Sequence, residues 1–192
     1  MENLNIRLSE ISPKRIFEEM KLNVYNNFSP SPNLSVNKAY LYSRRSLFKI
    51  LHAITNAMSF KSQTFFLCTH FLDIIFSSKK QINININLIG LASLCLSAKY
   101  CENDPIVPHL QYFIKAYNVI TGYRSPFSMN DLKTAEIFAL KSLNYKLNYY
   151  TSYDFNSFLF GHGILKMEQL REIGIIHKNQ RYFKNKKNEF FF

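Results

Sequence analysis

Tryptophan is absent from this chain of 192 residues, glycine occurs five times and proline six. A β-sandwich or barrel reverses direction every few residues and needs many more turn formers, so the composition points to helices. The glycines are scattered, so no Gly-rich loop exists to cradle a phosphate. Cysteine is scarce and odd in number. Cys68, Cys95 and Cys101 lie in apolar, helix-patterned stretches without a C-x-x-C pair, which predicts reduced, mostly buried thiols of an intracellular protein. Acidic residues are few: 13 Asp and Glu stand against 24 Lys and Arg, for a net charge of +11. Such an excess raises nucleic acid or an anionic membrane as partners. The chain is also rich in Asn, Lys, Ile, Phe and Tyr, a bias that scatters lysines over a surface with no selection for phosphate. Nucleic acid is therefore not expected as the partner. The most apolar run, Leu88 to Ala98, is too short to cross a bilayer, and Met1-Glu2-Asn3-Leu4 lacks the basic-then-apolar layout of a signal peptide. The expected locations are nucleus or cytoplasm, away from membranes.

What is present is apolar content of 47%, enough for one folded domain with a real core. Ser12-Pro13 reads as a helix start, Ser as N-cap and Pro at the first helical position, followed by the stripe Ile16, Phe17, Met20. Residues 26–37, with two Ser-Pro pairs, read as a linker. Leu47, Ile50, Leu51, Ile54 and Met58 keep the i, i+3, i+4 rhythm and predict a helix over 43–58. Further helices are expected over 62–76, 88–100, 109–118 and 129–143, the last capped by Ser128. Residues 82–87 alternate Ile and Asn with the period of a strand. They feed into a stretch apolar on every side, the mark of a helix surrounded by helices, and are assigned to its approach. A sixth helix starts at Thr151 or Ser152, and 164–177 is a candidate for another. The tail carries Arg181, Lys184, Lys186 and Lys187, a candidate nuclear import signal.

No chemistry-bearing constellation emerges. Cys68 and His70 point to different helix faces, so no metal is expected there. His109 and His162 read as loop or cap residues, and Gly161-His162-Gly163 as a turn. No catalytic residue, metal or cofactor is expected. Five residues inside the apolar stretches remain: Arg44, Asp73, Leu88, Lys99 and Glu136. Taken singly, each has an ordinary reading. Arg44 would be a solvated arginine at a helix start, Leu88 a core residue, and Glu136 an exposed glutamate. Lys99 would be a surface lysine favoured by the helix dipole.

Their order and context resemble the signature of the cyclin box. Arg44-x-x-Leu47 opens a helix as in cyclins, and Thr64 stands at the start of the next. Phe71-Leu72-Asp73 resembles the family's F/Y-L-D-R, and Leu88-Ile89-Gly90 its L-V-G. Ala98-Lys99-Tyr100-Cys101-Glu102 resembles A-S-K-Y-E-E. Glu136 with Leu140-Lys141-Ser142-Leu143-Asn144-Tyr145-Lys146-Leu147 resembles its E…L-K-x-L-x-F-x-L close. The resemblance implies an all-α fold: a single five-helix cyclin box over 39–150. An N-terminal helix and linker over 1–38 would precede it, and a C-terminal helical extension with basic tail over 151–192 would come after it. It implies a non-catalytic subunit that binds and activates a cyclin-dependent Ser/Thr protein kinase, with no small-molecule substrate. Arg44 and Asp73 would be a structural clamp, and removing one partner is expected to leave a buried charge at a cost of about 3–5 kcal/mol. Lys99, Glu136 and Leu88 would contact the kinase, the two charges bonding backbone groups near its regulatory helix.

The chain departs from the family at Ile74, where L-D-R has Arg, at Cys101 for the first Glu of K-Y-E-E, and at Ile50 for the usual Trp. Mitotic cyclins read M-R-A-I-L where this chain has Ser43-Arg44-Arg45-Ser46-Leu47, so docking of R-x-L substrates is expected to be weak or absent. The stretch from Lys99 to Glu136 is longer than in mitotic cyclins, and the stretch after Leu147 is too short for a second box. Single-box P-type (U-type) cyclins are the nearest subclass. The alternatives are a transcription-type cyclin, a nucleic-acid-binding factor of the IIB type, and a scaffold that activates nothing.

Overall fold

The computed structural model describes residues 12–27, 37–77, 83–103, 107–123 and 127–164. The candidate helix beyond 164, the basic tail and most of the 26–37 linker lie outside them. The described residues form seven helices and no strand: α1 (Pro13–Asn27), α2 (Lys38–Ala57), α3 (Ser62–Ser77), α4 (Ile86–Cys101), α5 (Leu110–Thr121), α6 (Met129–Ser142) and α7 (Ser152–Gly161).

Every side chain of α4 from Leu88 to Ala98 is buried, and the helix packs against α2, α3, α5 and α6. A helix with no polar face can persist in water only when other helices enclose it. The neighbours supply matching stripes: Leu47, Leu51 and Ile54 from α2; Leu67, Phe71, Leu72 and Ile75 from α3; Phe113 from α5; Leu132, Ala135 and Ala139 from α6. Within α4 the Ser97 hydroxyl donates to the Ser93 carbonyl at 2.9 Å, while the Ser93 hydroxyl is buried without a partner among the described residues. α7 lies on α3, where Gln63 donates to Asp154 at 2.9 Å and Phe66 meets Tyr153. α1 reaches the body through Phe17, which stacks on Phe158 and meets Phe155 edge-on.

Several boundaries differ from the sequence expectation. α2 begins at Lys38 rather than at 43, because the Asn37 side chain accepts from the Tyr40 N–H at 3.2 Å and caps an extra turn. That turn buries Tyr40, which stacks on Phe76 with ring centres 4.3 Å apart. α5 continues past Asn118 to Thr121 and stops where Gly122 takes φ of +71°. The described part of the Ile–Asn alternation, residues 83–87, forms no strand: Asn85 turns its side chain onto the Asn87 N–H at 2.9 Å and starts α4. Ser128 caps α6 as expected, in a reciprocal box with Asp131.

Gly90 sets how closely α2 approaches α4. A Cβ there would lie 2.7 Å from Leu47 Cδ1, and Leu47 is itself fully buried. Gly90→Ala is therefore expected to destabilise the fold by about 1–3 kcal/mol through overpacking. Thermal unfolding checks this, and Leu47→Val in the same chain should recover part of the loss.

Candidate protein-interaction site

Arg44 and Asp73 meet as a fork on a fork. Nε of Arg44 donates to Oδ1 of Asp73 at 2.9 Å and Nη2 donates to Oδ2 at 2.8 Å. The bond to Asp73 holds the guanidinium charged beyond its ordinary range. The pair ties α2 to α3, and Arg44 also lies over the Phe48 ring. A third member is not legible in the sequence: the Tyr40 hydroxyl donates to Oδ1 of Asp73 at 2.6 Å. Burial, and then the carboxylate, push this phenol well above its ordinary range. The one available signal is its place one helical turn before Arg44, on the same face.

The two charged side chains are 42% and 33% exposed, so the clamp is not the buried pair the sequence suggests. Water still reaches the guanidinium, and its loss costs less than a buried charge would. What is buried is Tyr40, whose hydroxyl would be orphaned without Asp73. Asp73→Ala is expected to cost about 2 kcal/mol, mostly through that hydroxyl. At this chain length the melting temperature should fall by roughly 4–8 °C. Tyr40→Phe in the Asp73→Ala background should restore part of it.

Lys99 and Glu136 come together across the seam of α4 and α6. The Lys99 ammonium hydrogen-bonds Oε1 of Glu136. The Glu136 side chain is almost wholly buried, at 11% exposure, whereas Lys99 is half exposed. Beneath them lies Cys95, one turn earlier on α4. Burial first, and Glu136 next, push its thiol up, so it remains a protonated, unreactive filler. The exposed apolar side chains of Tyr100 and Ile137 flank the pair. This small surface has a buried carboxylate, an ammonium with further donors facing water, and apolar shoulders on two packed helices. It is suited to hold polar backbone of another protein.

Leu88 is not brought to that surface. It lies about 16 Å of helix rise from Lys99 and is buried in the core. Glu102 is the residue whose position the sequence does not explain. Its carboxylate is buried just past α4, accepts from the Lys61 N–H at 2.7 Å and pairs with the Thr64 hydroxyl. An anion is favoured at a helix N-terminus, so Glu102 fastens the end of α4, beside Lys99, to the start of α3. Both Thr64 and Glu102 stand in matched motif positions, but only the fold joins them.

Among the described residues no cluster of three or more His, Cys, Asp or Glu could hold a metal ion. No described helix is long and apolar enough to cross a membrane. Cys68, Cys95 and Cys101 are unpaired thiols. His109 and His162 stand at the N-cap of α5 and the C-cap of α7.

His70 packs edge-on against Tyr149, and burial lowers its pKa below 6.5 against the opposing pull of Asp73 and Asp154. The unfolded chain then takes up the proton first. This stability is fully present above the unfolded pKa and is lost as pH falls below about 6.5 toward the lower folded value. Between about pH 7.5 and pH 5.5 the wild-type melting temperature should fall more than that of His70→Gln.

A family model described as "Cyclin, N-terminal domain" matches residues 15–148. No curated protein and no solved structure matches the chain. The family is, in general, regulatory and non-catalytic. The matched span holds nearly all of α1 and every helix through α6, with the Arg44–Asp73 and Lys99–Glu136 pairs inside it, and the chain belongs to the cyclin family and carries a cyclin box.

Proposed function

We propose that this protein binds and activates a cyclin-dependent Ser/Thr protein kinase, in cell-cycle or cell-division control. The observation that carries the reading is the juxtaposition of Lys99 and Glu136 on α4 and α6. These residues stand at the motif positions where cyclins hold the kinase's regulatory helix. The mechanism is positional. A kinase needs the Glu of that helix paired with the Lys that holds the ATP phosphates. A rigid surface that binds only the inward pose of the helix shifts the population toward it. α4 is enclosed by four helices and its end is fastened by Glu102, so the surface does not yield as the mobile helix settles.

The single-box P-type subclass is the finer assignment. It is supported by the long connection between α4 and α6, whose final segment runs from Gly122 to Ser128. The sites of action would be the nucleus, the cytoplasm or both, wherever the kinase resides.

The test removes both charges together. Lys99→Ala alone would leave the buried Glu136 carboxylate without its partner and confuse binding with folding. Lys99→Ala with Glu136→Ala leaves neither charge behind. The double variant should melt close to wild type yet bind a cyclin-dependent kinase at least about 30-fold more weakly and fail to stimulate phosphorylation. Capture at wild-type strength by the folded double variant would refute the proposed surface.

A further inference from the structure

The outer face of α2 and the neighbouring edge of α3 form an open groove of about 570 Å³. Its walls are Leu41, Arg45, Phe48, Lys49, His52 and Phe65, with the clamp residue Arg44 at its side. α2 carries Lys38, Arg44, Arg45 and Lys49 and no acidic residue at all. The acid that α3 supplies, Asp73, is already engaged by Arg44 and Tyr40. Arg45 and Lys49 are exposed and form no ion pair among the described residues. The aromatic wall is ordered: Phe48 meets Phe65 edge-on at 6.3 Å, and His52 meets Phe65 at 5.1 Å. Leu41 completes the apolar strip at 53% exposure.

From this charge and shape we infer that the groove binds an acidic segment of a protein partner, extended, with the pattern acidic–apolar–acidic. Residues four apart on a helix rise by about 6 Å, which is the step from Arg45 to Lys49. Alternate residues of an extended chain advance about 6.6 Å and share a side, so two carboxylates reach both cations while the apolar residue between them turns to the opposite side, toward Phe48 and Phe65. A carboxylate meets the Arg45 fork with two hydrogen bonds and Lys49 as a point charge. A second copy of this chain would bring +11 against +11 and is disfavoured as the occupant. The preference is opposite in sign to that for basic R-x-L peptides. It concerns different helices from the Lys99–Glu136 surface and stands whether or not that surface receives a kinase.

The test is fluorescence anisotropy of the full chain with a short labelled peptide built on Asp-Phe-Asp, at low salt. The peptide should bind, and Arg45→Glu with Lys49→Glu should weaken binding by about tenfold or more. Lys115→Glu with Lys133→Glu changes the net charge equally on exposed positions of α5 and α6 and should leave binding within about twofold. Equal loss in both double variants would reduce the effect to overall charge and overturn the site. Asp-Gly-Asp binding as well as Asp-Phe-Asp would overturn the role of the aromatic wall. A single-stranded oligonucleotide that binds more tightly, with the same dependence on Arg45 and Lys49, would make the groove a nucleic-acid site and overturn the peptide assignment. An R-x-L peptide bound equally well would do the same. Independently of any variant, carbodiimide should couple a peptide carboxylate to the Lys49 amine. Coupling confined to other lysines would place the peptide elsewhere.

Discussion

The enclosure of α4 is the constraint on which the rest of the molecule depends. Its buried stretch has no face that water can solvate, so the chain must place a helix on each side of it. α2, α3, α5 and α6 do so, and each carries an apolar stripe toward α4 and polar residues away from it. Gly90 lets α2 close to a distance at which a Cβ would press on Leu47. The result is a central rod whose one exposed end, at Lys99 and Tyr100, is carried by the packing of the whole core.

Electrostatic contacts then tie particular helices to one another. Arg44, Asp73 and Tyr40 lock α2 to α3, and Glu102 locks the end of α4 to the start of α3. In both places a carboxylate joins two helices, and in both a buried hydroxyl shares it. Such charge-assisted bonds add direction to a core whose apolar packing is indifferent to it. A third pair, Lys99 with Glu136, joins α4 to α6 across their seam.

Much of this is legible in the order of residues. The rhythm of apolar residues places the box helices close to where they lie, and the Ser128 cap is readable because a reciprocal Ser–Asp box is local. The first turn of α2 escapes because Asn37 reads as part of a linker, although its side chain caps the helix. Arg44 and Asp73 pair correctly as motif residues, but the motif overstates their energetics. Sequence carries no measure of how far a side chain stays in water. Tyr40 and Glu102 escape because their partners lie far along the chain.

The order of residues by itself determined the class of fold, the central helix and the family, because periodicity and motif spacing are properties of a line. Tertiary structure alone decided that Tyr40 and Glu102 join buried hydrogen bonds, which charges remain hydrated and where Leu88 lies. Burial and pairing depend on distances between segments, and those exist only once the helices have packed. The cationic, aromatic groove on α2 and α3 belongs to the second kind. Its residues are all visible in the sequence, but Phe65 joins Arg45, Phe48 and Lys49 in one wall only after the two helices have closed around α4.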